Sequence, residues 1–142
     1  MIDAPDLDNF DHNDAWRVGA ALVQRCREDQ LPVTVSIWLG EQHVFHAALK
    51  GSSADNDSWV ERKARTVRRF GCSSLEVQER YGSMGHDFFE TFGLAPATYT
   101  PSGGAVPILV RGALVGVIAV SGLESREDHN LAASALIVTQ SR

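Results

Sequence analysis

The sequence predicts an α+β domain in which helices flank a largely antiparallel sheet. Two candidate β-hairpins separated by helical segments point to it, because hairpins make antiparallel neighbours and amphipathic helices need a sheet to cover. So does the run from Ser102 to Gly122, whose second strand is apolar on both faces, as a strand covered on two sides must be. With 142 residues and 44% hydrophobic content the chain reads as one domain, 1–142, with enough apolar side chains for a core.

Each element has a local reason. Residues 1–14 hold five acids and no base (Asp3, Asp6, Asp8, Asp11, Asp14). Residues 1–10 are therefore expected to fray, and the acids to gather where a first helix starts. Ala15, Val18, Gly19, Leu22, Val23 and Cys26 recur at helical spacing, with Arg17, Gln24, Arg25 and Arg27 opposite, which predicts a helix to about Glu28. In 33–39 every second residue is aliphatic, the period of a half-buried strand. Gly40-Glu41-Gln42 is its turn, and His43–Leu49 the returning strand. Gly51–Asp57 reads as a polar loop with N-cap candidates.

A second helix is predicted over Ser58–Phe70, with Val60, Ala64 and Val67 inward, the basic residues largely outward, and Gly71 as its stop. Ser73 caps a shorter helix to Tyr81, and Asp87–Phe92 makes a fourth before Gly93 and Pro96. Strand Val106–Val110, the turn Arg111-Gly112 and strand Ala113–Ser121 follow, Gly116 marking a bulge or a close backbone approach. Ser125 and Asp128 have capping-box spacing and open a last helix that turns Leu131, Ala132, Ala135, Leu136 and Val138 to the sheet. This order is that of a profilin-like or PAS-like sandwich.

The formal charge of −5 disfavours nucleic acid, because neutralising phosphates takes a basic surface. The N-terminus has no basic segment leading into an apolar one, and no stretch approaches the roughly 18 apolar residues of a membrane span. A cytoplasmic protein without membrane contact is expected. Its expected partners are a small-molecule ligand and further copies of itself. Cys26 and Cys72 read as reduced, mostly buried thiols.

Candidate chemistry is scattered. His43 and His46 look like a metal pair, but residues i and i+3 of a regular strand point to opposite faces, so they are not read as sharing an ion. His46 alone would reach a site on the sheet face or serve as a hydrogen-bonded structural histidine. Arg62, Lys63, Arg65, Arg68 and Arg69 form a basic stripe that would receive carboxylates, lie in solvent or meet the acidic N-terminus of another subunit. Ser102-Gly103-Gly104 precedes a strand and lacks a phosphate-loop ending, so its glycines serve a sharp strand start or expose N–H groups to an anion. Asp128 and His129, beyond the strand end Ser121-Gly122, are placed for acid–base work, with helix capping as the plainer role of Asp128.

Gly103-Gly104-Ala-Val-Pro107, Val115-Gly116-Val-Ile-Ala-Val-Ser121-Gly122 and Asp128-His129 resemble the signature half of the haem-degrading (GlcG/HbpS-like) domain family. Upstream, Phe10-Asp-His-Asn-Asp-Ala-Trp16, Val44-Phe-His-Ala47, Asp55-Asn-Asp-Ser-Trp59, Arg62-Lys-Ala-Arg65 and Phe70-Gly-Cys-Ser-Ser74 resemble its short bacterial and fungal branch. The resemblance implies a profilin-like domain that assembles into dimers or larger rings, with haem or another tetrapyrrole as ligand in some relatives.

Three functions fit these readings. The first is an oligomeric small-molecule binder, haem being one candidate cofactor: His46 or His129 would hold the iron, Arg62 and Lys63 would meet propionates, and Gly103, Gly104 and Gly122 would admit a flat ligand. The second is a non-catalytic oligomeric interaction module that buries Trp16, Trp38, Trp59, Phe88, Phe89 and Phe92 between subunits or against a partner. The third is a small-molecule enzyme with Asn56, Asp57, Lys63, Ser121 and Asp128 around one pocket, and Lys63, Asp128 and His129 as candidate catalytic residues.

Overall fold

In the computed structural model, which describes residues 1–140, the chain runs β1 (Asp6–Leu7), α1 (His12–Glu28), β2 (Thr34–Leu39), β3 (Gln42–Ala48), α2 (Ala54–Phe70), α3 (Ser74–Tyr81), α4 (Asp87–Phe92), β4 (Ala105–Val110), β5 (Ala113–Ser121) and α5 (Ser125–Gln140). The strands form one sheet of order β1-β4-β5-β2-β3, antiparallel except for the parallel β1–β4 pair. This is the α+β architecture that the two hairpins predict.

The hairpins join through their inner strands, β2 pairing with β5 from Thr34–Ser121 to Leu39–Gly116. Alternating side chains of these central strands feed two cores. Val35, Ile37, Ile118 and Val120 pack against Val18 and Leu22 of α1 and Ala132 and Leu136 of α5. Trp38, Val117 and Ala119 pack against Val60, Ala64 and Val67 of α2 on the opposite face. The half-buried strand expected at 33–39 is thus buried on both faces, Thr34, Ser36 and Trp38 included, because α2 covers the second one. At Gly116 a Cβ would lie 2.2 Å from the Trp38 carbonyl oxygen, and the β4–β5 register shifts beside it.

Several boundaries differ from expectation. The segment 1–10, expected to fray, carries β1: Leu7 is buried, and the Asp6 carboxylate accepts from the Gly112 N–H at 2.9 Å. Helix α2 starts at Ala54 rather than Ser58, because Asn56 Oδ1 accepts from the Ser53 N–H (3.0 Å) and closes the N-terminus earlier. Ser125 is the first residue of α5 and not its cap; Asp128 Oδ1 accepts instead from the Leu123 N–H at 3.0 Å. Of the aromatic residues proposed for an interface, Trp38 lies in the core, Phe88, Phe89 and Phe92 pack with Phe70 and Tyr81, and Trp16 alone is largely exposed, at 66%. Among the described residues no helix is long and apolar enough to cross a membrane.

Candidate functional site

Three elements converge at one corner: the first turns of α2, the end of β5 at Ser121 and the start of α5 at Ser125. Gly122 makes the reversal with φ of 146°, and a Cβ there would lie 2.3 Å from the Pro32 carbonyl oxygen, so only glycine fits. Lys63 falls on the inward face of α2 with Val60 and Ala64, and its stem is packed inside the protein. Its Nζ donates to the Val120 carbonyl (3.0 Å) and to Asp128 Oδ2 (3.2 Å). Lys63 is 4% exposed and Asp128 1%. Asn56 Nδ2 donates to Ser121 Oγ at 3.2 Å, which ties the N-terminal half of α2 to the strand end.

Above this pair opens a cavity of about 320 Å³ lined by Asn56, Trp59, Lys63, Ser102, Ser121, Gly122, Leu123, Ser125 and Asp128. An ammonium has three N–H donors. Two protein acceptors, the Val120 carbonyl and Asp128 Oδ2, take two of Lys63's, and among the described residues no third acceptor is bonded to it. Burial pushes the Lys63 amine below its ordinary value, against the pull of Asp128. Burial also pushes the Asp128 carboxyl up, against the pull of Lys63 and of the Leu123 and Gly122 N–H groups. Burial thus works against the charged form of each group, while the attraction between them works for it. The cleft between α1 and α5 is lined by Val18, Leu22 and Val138 together with Arg17 and Arg25; both arginines are exposed, so it holds no buried ionisable group.

Asn56, Lys63, Ser121, Gly122 and Asp128, drawn from separate parts of the sequence, meet here. Gly104 stands behind Lys63, where a Cβ would lie 2.6 Å from Nζ. Ser102, from the Gly-rich strand entry, also lines it; Trp59, Leu123 and Ser125 complete the wall, and sequence reasoning does not place these three at this pocket. Spacing carries a signal for Trp59, since Asn56, Trp59 and Lys63 stand at i, i+3 and i+7 of one helix.

Other candidates lie elsewhere. His129 is buried with Nε2 2.6 Å from the Ile2 carbonyl oxygen, turned by about 100° of helix from Asp128. It anchors the N-terminal segment and does not face the cavity. Gly103 packs against Leu75 and donates its N–H to Gln78 Oε1 (2.7 Å), so it presents no surface to a flat ligand. The basic stripe divides: Lys63 turns inward, the Arg62 guanidinium stacks 3.7 Å over Trp59, and Arg68 and Arg69 donate to the carbonyls of Gly40 and Phe92.

His46 lies on the outer strand β3, with Nδ1 2.8 Å from Ser36 Oγ and Nε2 3.5 Å from Asp57 Oδ1. Asp57 therefore belongs to that edge and not to the pocket. The expectation that His43 and His46 face opposite ways is also corrected: their ring centroids are 5.2 Å apart. The cause is a register shift that pairs Ile37 with Phe45 but Trp38 with His43, so Val44 is the extra residue and the strand alternation resets. No group of three or more His, Cys, Asp or Glu among the described residues is arranged to hold a metal ion.

Residues 10–137 match the family described as haem degrading protein HbpS-like. The chain belongs to the HbpS-like family. A UPF0303 protein of Streptomyces avermitilis is 47% identical over 131 residues, 92% of this chain and 80% of that one. A UPF0303 protein of Rhizobium rhizogenes is 41% identical over 134 residues, 94% of this chain and 82% of that one. Among solved structures, Ybr137w matches with a TM-score of 0.87 and 31% identity, covering 95% of this chain and 80% of that chain. The haem complex of PduOC shares the fold, with a TM-score of 0.76 at 18% identity, 90% of this chain and 93% of that chain being covered.

The HbpS-like name raises haem, whose iron takes an axial His, Cys, Met or Tyr. Among the described residues none of these lines the Lys63 cavity. The residues at this corner do not fit a haem. The cavity's polar wall consists of the Asn56 amide, the Lys63 amine, the Asp128 carboxyl and the hydroxyls of Ser102, Ser121 and Ser125.

Proposed function

We propose that this HbpS-like chain binds a small polar molecule in the cavity above Lys63 and Asp128. The observation that carries the reading is the buried Lys63 ammonium, whose third donor faces no protein acceptor at a cavity walled by Ser102, Ser121 and Ser125. A buried ion pair is a poor stabiliser, since desolvating each charge costs several kcal/mol. A bound molecule accounts for keeping one here. The test is a thermal-shift screen of small hydroxyl and carbonyl compounds against the native protein and the double variant Lys63→Met/Asp128→Leu, which removes both charges together. Compounds that stabilise only the native protein support the reading, and equal responses of the two proteins overturn it.

A second reading is haem, favoured by the family and by the haem complex of a structural relative. In this chain it falls to His46, whose side chain is 37% exposed at the sheet edge, because His129 is enclosed. Haemin titration decides it: a saturable Soret shift lost in His46→Ala supports haem at that edge. Self-association belongs to the same proposal, supported by the exposed Trp16 and Val138 on the α1 and α5 surface.

A further inference from the structure

We propose that Lys63 captures a short hydroxylated aldehyde or ketone as an imine, with Asp128 relaying the proton. The proposal rests on the binding reading above and names the ligand class for that site. Its first support is the choice of cation. The sequence contains two lysines, Lys50 and Lys63, and every other permanent cation on its side chains is arginine. A guanidinium cannot shed its proton, whereas an ammonium can. Lys50 is exposed. Among the described residues Lys63 is the buried lysine, so the chain places a cation that can lose its proton where water is scarce.

The second support is geometry. Nζ lies 3.2 Å from Asp128 Oδ2, within reach for direct proton transfer, and Lys63 lines a cavity into which a carbonyl carbon can approach. Gly104 keeps a side chain away from the amine on the strand side. Burial weakens the charged form of both partners, which favours the amine over the ammonium as the pair exchanges its proton.

The walls select the ligand. Asn56, Ser102, Ser121 and Ser125 offer amide and hydroxyl groups, suited to a ligand's own hydroxyls. A carboxylate ligand would instead confront Asp128 with no arginine on the cavity wall to meet it, since Arg62 is stacked on Trp59. An uncharged ligand follows.

The step balances without a further reactant. Asp128 accepts a proton from the Lys63 ammonium, and the freed nitrogen lone pair forms a bond to the carbonyl carbon. The carbonyl oxygen takes the displaced electron pair and the proton from Asp128, giving a carbinolamine. Nitrogen then passes a second proton through Asp128 to that oxygen. The C–O bond breaks, water leaves with both hydrogens, and the nitrogen lone pair closes a protonated imine. One ammonium and one carbonyl compound become one iminium and one water.

The experiment incubates the native protein with dihydroxyacetone and cyanoborohydride and maps the reduced adduct by peptide mass spectrometry. Lys50 in the same molecule is the reference, so the result does not depend on a variant folding. The expected outcome is labelling of Lys63 faster than Lys50 by about tenfold, as an activated amine requires, with Asp128→Asn slowing Lys63 alone. Adduct at Lys50 or the N-terminal amine without preference for Lys63 overturns the proposal. A parallel amide NMR titration with dihydroxyacetone separates the two failures. Saturable shifts at Ser121–Asp128 without adduct keep the binding reading and reject the imine, whereas neither shifts nor adduct rejects both.

Discussion

At the inner end of β5 a lysine and an aspartate lie 4% and 1% exposed, each pushed by burial toward its neutral form. Along the outer strand β3 the titratable groups are denser, with His43, His46 and Asp57 gathered on one face, yet they stand partly in solvent. Each already has a neighbour: His43 stacks on Trp38 at 4.6 Å, and His46 is shared by Ser36 and Asp57. Density of ionisable residues therefore does not locate the site. Burial beside a cavity with a donor left over does, because only there does the protein hold a charge at a cost that an incoming molecule can offset.

The comparison is broken most directly by removing one partner from each region. Asp128→Ala leaves the Lys63 ammonium buried without its counter-ion and is expected to cost about 3–5 kcal/mol in chemical denaturation. Lys63→Met/Asp128→Leu is expected to recover most of that loss. If Asp128→Ala is as stable as the native protein, the pair is not the desolvated site described.

Acid sharpens the contrast next. Burial holds His129 below the ordinary imidazole value of 6.5. The unfolded chain therefore binds a proton that the folded chain refuses, and stability present above that value is lost as the pH falls through it. The loss is at most about 1.4 kcal/mol per pH unit for one proton. His129→Asn should flatten this part of a stability profile measured by denaturation at successive pH values. His43, also held low by burial, keeps the remainder. The smallest effect is expected at the edge: the His46–Asp57 pair is partly exposed, and His46→Ala should cost about 1 kcal/mol or less.

Much of this was legible in residue order, and the misses have causes. The strand 113–121 is apolar on both faces because α1 and α5 cover one and α2 the other, and that duplication is visible in the sequence. The start of α2 was hidden because Ser53, Asp55, Asn56 and Asp57 favour loops as much as first helical turns. Lys63 reads as part of a solvated stripe by composition, although its spacing from Val60 and Val67 puts it on the buried face. Asp128 likewise stands three and four residues before Leu131 and Ala132, an inward position. The convergence of His43 and His46 was not legible, since it depends on an extra residue in β3 that only strand pairing reveals.

The central claim is that Lys63 sits desolvated against Asp128 at a ligand cavity. Selective ¹⁵Nζ-lysine labelling tests it most directly, because the sequence contains only Lys50 and Lys63 and so yields two signals. The account predicts that the Lys63 signal titrates below the ordinary lysine value and shifts saturably with added dihydroxyacetone, while the Lys50 signal does not respond to the compound. A Lys63 signal that titrates at the ordinary lysine value and ignores the added compound would contradict it.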